Sequence, residues 1–153
     1  MLFRSKSKSE FKKLDNILQA MWDKWVFLAS LGGITCLMRA PVCDYVATAA
    51  GSRIALALLE ECMAVAAAEG YATPAPVVAA YRARMTDAAS TLAASMMRDM
   101  EGGLPAEGDH ILGAMLARAR ARGLQAPILE IAATHVEAYG RRRVREAAAK
   151  KAG

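Results

Sequence analysis

Residues 14–28 read LDNILQAMWDKWVFL, with apolar side chains at Leu14, Ile17, Leu18, Met21, Trp22, Trp25 and Leu28. Steps of three and four residues put these side chains on one side of a 3.6-residue helix, which a strand with its period of two cannot do. The spacing predicts a first helix from about Ser9 to Leu31, broken at Gly32 and Gly33, because paired glycines weaken a helix interior. Working outward, Pro41 suits the first turn of a short second helix that fades towards Gly51. Ser52 is placed to cap a third, running through Leu56, Leu59 and Met63 to Gly70. Thr73-Pro74 opens a fourth towards Met85, which Thr86 or Asp87 restarts and Gly102-Gly103 ends. Pro105 opens another through Ile111, Leu112, Met115 and Leu116 to Gly123, and Pro127 starts the last. No segment alternates as a strand does, so the expected fold is all-α, a bundle of six to seven helices joined by short loops.

Composition agrees. The chain has 153 residues, more than half of them apolar, enough for one domain with a core. Ala, Leu and Met, strong helix formers, supply most of that fraction. Cys36, Cys43 and Cys62 are an odd set without paired spacing, which argues against a disulfide framework or a zinc site and fits a reducing cytoplasm. Lys24, Arg39, Asp44 and Arg53 interrupt every apolar run before it reaches membrane-spanning length, so no membrane contact is expected. The net charge of +5 divides into +4 over residues 1–13, +5 over residues 141–153 and −4 between them. A nucleic-acid surface would concentrate its excess on the body, whereas here Arg141, Arg142, Arg143 and Arg145 sit where a helix C-terminus favours cations. No nucleic-acid partner is expected.

Few residues suggest chemistry. Lys24 stands between Trp22 and Trp25, and reads either as a stem packed on aromatic rings with its ammonium in water, or as a partly desolvated proton donor to a carbonyl oxygen. Ser95 and Glu107 read on their own chemistry as a small packing residue and an anion at a helix start. Glu107 and His110 have the Glu-x-x-His spacing of a di-iron ligand pair, but the other histidine, His135, has Ala132 three residues before it, so no metal is expected. Met96, Met97 and Met100 read as core filler. No strand followed by a Gly-rich turn and a helix is present to cradle a dinucleotide pyrophosphate.

Three of these segments, in order, resemble the C-terminal domain of the ketopantoate reductase (2-dehydropantoate 2-reductase) family. Met21-Trp22-Asp23-Lys24-Trp25 is similar to the family's tryptophan-x-lysine opening, and Gly33-Ile34-Thr35-Cys36-Leu37 with Pro41 is similar to the family's next stretch of helix. Ala94-Ser95-Met96-Met97-Arg98-Asp99 resembles the Ser-Met-Leu-x-Asp motif, and Pro105 to Gly113 resembles the Thr-Glu-Ile-Asp-x-x-x-Gly segment. Gly123 to Pro127 is similar to the family's Gly-x-x-x-Pro turn. The resemblance covers residues 14–140, between a basic lead (1–13) and a basic helical tail (141–153).

The resemblance implies a helical fold like the C-terminal domain of 6-phosphogluconate dehydrogenase and a cytoplasmic, NADPH-dependent 2-oxoacid reductase of the kind used in pantothenate biosynthesis. Lys24 would be the catalytic acid, Ser95 would contact the polar end of the substrate, and Glu107 would hold a substrate hydroxyl or the lysine network. The family's asparagines four, eight and eighteen residues after the lysine are replaced by Leu28, Gly32 and Val42, which predicts a 2-oxoacid less polar than ketopantoate. The Rossmann domain that carries NADPH in the family has no counterpart in residues 1–13, so the chain alone is expected to bind no cofactor and to be inactive. Its expected partners are a small 2-oxoacid, a separate Rossmann-domain chain, and a second copy meeting it at an uncovered apolar face. The alternative is a non-catalytic helical interaction module derived from the same domain.

Overall fold

The computed structural model describes residues 8–152, so residues 1–7 of the basic lead and Gly153 of the tail lie outside the described residues. The described residues form seven α-helices and one turn of π-helix, with no strand. They are α1 (Lys8–Met38), α2 (Val42–Val46), α3 (Gly51–Ala68), α4 (Ala75–Met85), α5 (Ser95–Glu101), a π turn (Asp109–Gly113), α6 (Ala114–Ala121) and α7 (Pro127–Ala152). The bundle is built around α1, which packs on α3, α7, α5, α4 and the π turn, while α3 and α7 also pack on each other. Its fully buried side chains include Val26, Ile34, Leu58, Leu59, Leu112, Met115 and Leu129.

The first helix does not break at Gly32-Gly33. It continues for five residues past them, and both glycines are buried inside it. A Cβ on Gly33 would stand 2.8 Å from Leu58 Cδ2 and 3.4 Å from Ala132 Cβ. Gly33 gives up intrinsic helix propensity so that α3 and α7 can approach α1, and Gly32 does so for Met96 of α5; the buried contact outweighs a propensity loss of about 1 kcal/mol per glycine. The helix ends instead at Arg39, whose φ of 54° lets Ala40 N–H donate to Thr35 C=O. Arg39 Nε is fixed 2.6 Å from Glu101 Oε1.

The expected continuation of the fourth helix beyond Thr86 or Asp87 is not formed: residues 87–94 are non-helical and α5 starts only at Ser95. Their polar backbone is used across the fold. Ser90 C=O and Leu92 C=O accept from Cys43 N–H and Val42 N–H at the start of α2, and Ala94 N–H donates to Thr35 Oγ1 in α1. A segment whose carbonyls satisfy another helix's free N–H groups cannot also close its own helical ladder.

Two starts are also reassigned. Pro105 does not open a helix, because Leu104 C=O accepts from Tyr139 Oη–H and Gly103 C=O from Arg143 Nε–H, both on α7. The π turn therefore begins at Asp109, after Gly108 as its cap, which leaves Glu107 in the preceding segment. Ser52 does not cap α3; Thr48 Oγ1 accepts from Gly51 N–H at 3.0 Å and does so in its place. The N-terminus of α7 is capped from outside its own sequence, since the Glu61 carboxylate on α3 accepts from Ile128 N–H at 3.1 Å and Leu129 N–H at 2.8 Å.

Candidate functional site

The apolar stripe of α1 is wider than the core it covers, and its outer edge forms one wall of a groove. Leu18, Met21, Trp22, Lys24, Trp25 and Leu28 come from α1; His110, Ile111, Ala114 and Arg118 come from the π turn and α6. The groove encloses about 600 Å³. Among the described residues no carboxylate lines it, while three basic side chains, Lys24, His110 and Arg118, do.

Aromatic contacts fix its floor. Trp22 and Trp25 lie 4.9 Å apart between ring centroids, and Tyr71 stacks on Trp22 at 6.0 Å. Trp25 Nε1–H donates to Ile111 C=O at 3.0 Å, which ties α1 to a carbonyl in the π turn. The cation over the two rings is Arg118, 5.4 Å from Trp22 and 5.5 Å from Trp25, and Glu69 holds it in place at 3.4 Å. Glu69 also accepts from Arg122 Nε at 3.0 Å, and that hydrogen bond is the main reason its carboxyl lies below the usual carboxylate range.

Lys24 lies on the groove but is exposed, so the reading of it as a partly desolvated ammonium does not hold in this chain, because the groove is open above it. Its neighbour Asp23 turns away, accepting from Gln19 Nε2 at 3.0 Å. Ser95, the first residue of α5, and Glu107 are both exposed, and neither lines this groove. Among the described residues no ion pair joins Lys24 to Glu107. What brings the three segments together is Met96. A Cβ on Gly32 would lie 2.8 Å from Met96 Cε, and one on Gly108 would lie 3.8 Å from Met96 Sδ. Gly32 is two turns along α1 from Lys24, Ser95 precedes Met96 and Glu107 precedes Gly108.

The three positions at which the family pattern has asparagine separate in space. Leu28 is 40% exposed and lines the groove. Gly32 is buried beneath Met96, and Val42 is fully buried in the core. Selection of a less polar substrate therefore cannot rest on Val42; only Leu28 stands at the groove. In the sequence His110 stood out as half of a metal pair and lay, without an assigned role, in the Pro105 to Gly113 segment; among the described residues no group of three or more His, Cys, Asp or Glu could hold a metal. Its place on the groove, with Ile111, Ala114 and Arg118, comes from spacings of three and four residues that only become a wall once Trp25 fixes the facing helix.

No helix among the described residues is long and apolar enough to cross a membrane. Comparison with known proteins matches residues 16–140 to the family "Ketopantoate reductase PanE/ApbA C terminal". The uncharacterized oxidoreductase YkpB of Bacillus subtilis (strain 168) is 35% identical over 133 residues, covering 86% of this chain and 44% of that protein. The dimeric ketopantoate reductase of Staphylococcus aureus superposes with a TM-score of 0.74 at 26% identity, over 83% of this chain and 44% of that one. The 2-dehydropantoate 2-reductase of Methylococcus capsulatus gives 0.71 at 28% identity, again over 83% and 44%. The chain thus spans less than half the length of these relatives. With the family matched over most of its length and the all-helical architecture shared, the chain belongs to the ketopantoate reductase PanE/ApbA C-terminal family.

Proposed function

We propose that this chain is the substrate-side helical domain of a 2-oxoacid reductase of the 2-dehydropantoate 2-reductase type, with Lys24 as its proton donor. The observation that carries this reading is Lys24 itself, an ammonium with no ion-pair partner among the described residues, on the rim of an apolar groove floored by two tryptophans. A reduced carbonyl needs a proton on its oxygen as negative charge forms there, and a positioned side chain typically contributes about 10²–10⁴-fold to that step. Ser95 and Glu107 are proposed, by the family resemblance, to hold polar groups of the substrate; their segments pack beside α1 through Met96, which lies against both Gly32 and Gly108.

The described residues contain no strand, Gly-rich turn and helix to cradle a dinucleotide, so they do not fit NADPH by themselves. They fit the other half of the chemistry: an apolar wall, a proton source and an open side. We place NADPH on a nucleotide-binding unit that closes over that side, and expect such closure to desolvate Lys24. The dimeric state of the Staphylococcus aureus relative and the exposed Phe11, Ile17 and Met21 of α1 support self-association as a further partner contact. The three free thiols support a reducing, cytoplasmic location.

The test is NADPH consumption, followed by absorbance, with ketopantoate and other 2-oxoacids. We expect neither NADPH binding by calorimetry nor turnover from the chain alone. Turnover should appear on mixing with a separately expressed nucleotide-binding domain of the family, and Lys24→Ala should lower it by about 10²–10⁴-fold. Micromolar NADPH binding by this chain alone, or a Lys24→Ala variant with undiminished turnover, would overturn the proposal.

A further inference from the structure

A second, smaller pocket lies between the end of α1 and α7. It encloses about 180 Å³ and is lined by Arg39, His135, Ala138, Tyr139 and Arg142. Arg39 is fifteen residues along α1 from Lys24, about 22 Å at the helical rise, and the pocket shares no residue with the groove. Its polar groups are left incompletely satisfied. His135 Nε2 is buried and has no hydrogen-bond partner among the described residues. Glu101 accepts from Arg39 Nε–H at 2.6 Å, and no described residue takes the terminal N–H groups of that guanidinium. Arg142 has only an ion pair to Glu146 Oε1 at 3.6 Å, too long for a hydrogen bond. The helix dipole does not account for Arg142 either, because α7 continues ten residues beyond it to Ala152. The Tyr139 hydroxyl is committed to Leu104 C=O, and among the described residues no carboxylate lines the pocket.

We infer that this pocket binds a phosphate group, held by the Nε2–H of His135 and the free guanidinium N–H groups of Arg39 and Arg142. A buried ring nitrogen without a partner is destabilising, and an acceptor that reaches it recovers the loss. Water would serve the nitrogen alone. An oxyanion serves the nitrogen and both guanidinium groups, which pair with phosphate through several N–H bonds at once. The donors come from the end of α1 and from two α7 positions seven residues apart, on one helical face, so they converge from different directions as the oxygens of a tetrahedral ion require. The volume admits a phosphate group and excludes a whole nucleotide. The remainder of a phosphate ester would lie outward, past the exposed Ala138 and Arg142.

The chain has two histidines, and His110, on the Lys24 groove, serves as an internal control for His135. Their imidazole resonances are followed by NMR as chloride is replaced with inorganic phosphate, or with glycerol 3-phosphate, at constant pH and ionic strength. We expect a saturable shift of the His135 signals while those of His110 stay in place, and a melting temperature that rises along the same curve. Arg142→Gln should weaken the response about tenfold, the loss of one charge-assisted contact. Arg142 is exposed, so this variant is expected to keep the wild-type circular dichroism. His135→Leu, which removes the orphan nitrogen, should abolish the phosphate-dependent rise in melting temperature. Saturation by either compound supports the site, and the comparison tells a free ion from the end of an ester. An unsaturable drift, equal movement of both histidines, or an undiminished response in Arg142→Gln would overturn the inference. These readouts involve neither NADPH, Lys24 nor turnover, so they stand or fall apart from the reductase reading.

Discussion

The side chain of Met96 lies so close to Gly32 that a Cβ there would be 2.8 Å from its Cε. The position eight residues after Lys24 therefore takes the amide that the family pattern puts there only if the Met96 side chain moves aside. Asparagine at the three pattern positions should have three different outcomes. Leu28→Asn, at a half-exposed groove position, should fold normally and improve turnover of ketopantoate relative to α-ketoisocaproate in the reconstituted enzyme. Gly32→Asn should lose about 1–3 kcal/mol by overpacking. Val42→Asn should lose at least about 1–3 kcal/mol, because its amide would be buried without partners. Urea melts separate these cases, and a stable Gly32→Asn protein would show that Met96 can leave.

Gly108 meets α7 in a similar way. A Cβ there would overlap Val136 Cγ1, so Gly108→Ala should cost about 1–3 kcal/mol and displace the Glu107 segment. Adding Val136→Ala should restore part of the loss. A double-mutant cycle by denaturant unfolding measures the coupling, and simple additivity would mean that the two residues do not press on each other.

Burial pushes the thiols of Cys36 and Cys62 up to about 12, so at mildly alkaline pH neither offers the thiolate that alkylation needs. Cys43 is only half-buried. Iodoacetamide should add one label to the native protein, at Cys43, and three after unfolding, as read by intact mass and peptide mapping. Native labelling at Cys62 would mean that α3 opens locally.

The depressed carboxyl of Glu69 gives a pH dependence with a definite sign. Its folded-state value lies below the ordinary glutamate value of about 4.3, so its stabilisation is fully present above that value and is lost as pH falls through the folded-state value. The melting temperature should fall on acidification through this range, and Glu69→Gln should flatten the fall. Because Glu69 also holds Arg118 over the indoles, the tryptophan emission should shift over the same acid range in the wild type and not in the variant. A pH-independent emission spectrum would uncouple the pair from the groove floor.

The sequence by itself determined the helical class and most helix ends, because these depend on local physics. Periodicity at Leu14 to Leu28, the prolines at Pro74 and Pro127 and the positive-φ glycines Gly70 and Gly123 act within one turn of chain. It also carried the three motifs that led to Lys24, Ser95 and Glu107. What only the tertiary structure decided is whatever depends on a partner distant in sequence. Gly32 and Gly33 look like breakers until Met96 and Leu58 press against them. Residues 87–94 look helical until their carbonyls are taken by α2. His110 and Arg118 join Lys24 because the Trp25 indole reaches a carbonyl eighty-six residues away. Intrinsic preferences of these segments differ by about 1 kcal/mol per residue, and burial and long-range hydrogen bonds of equal or greater size override them.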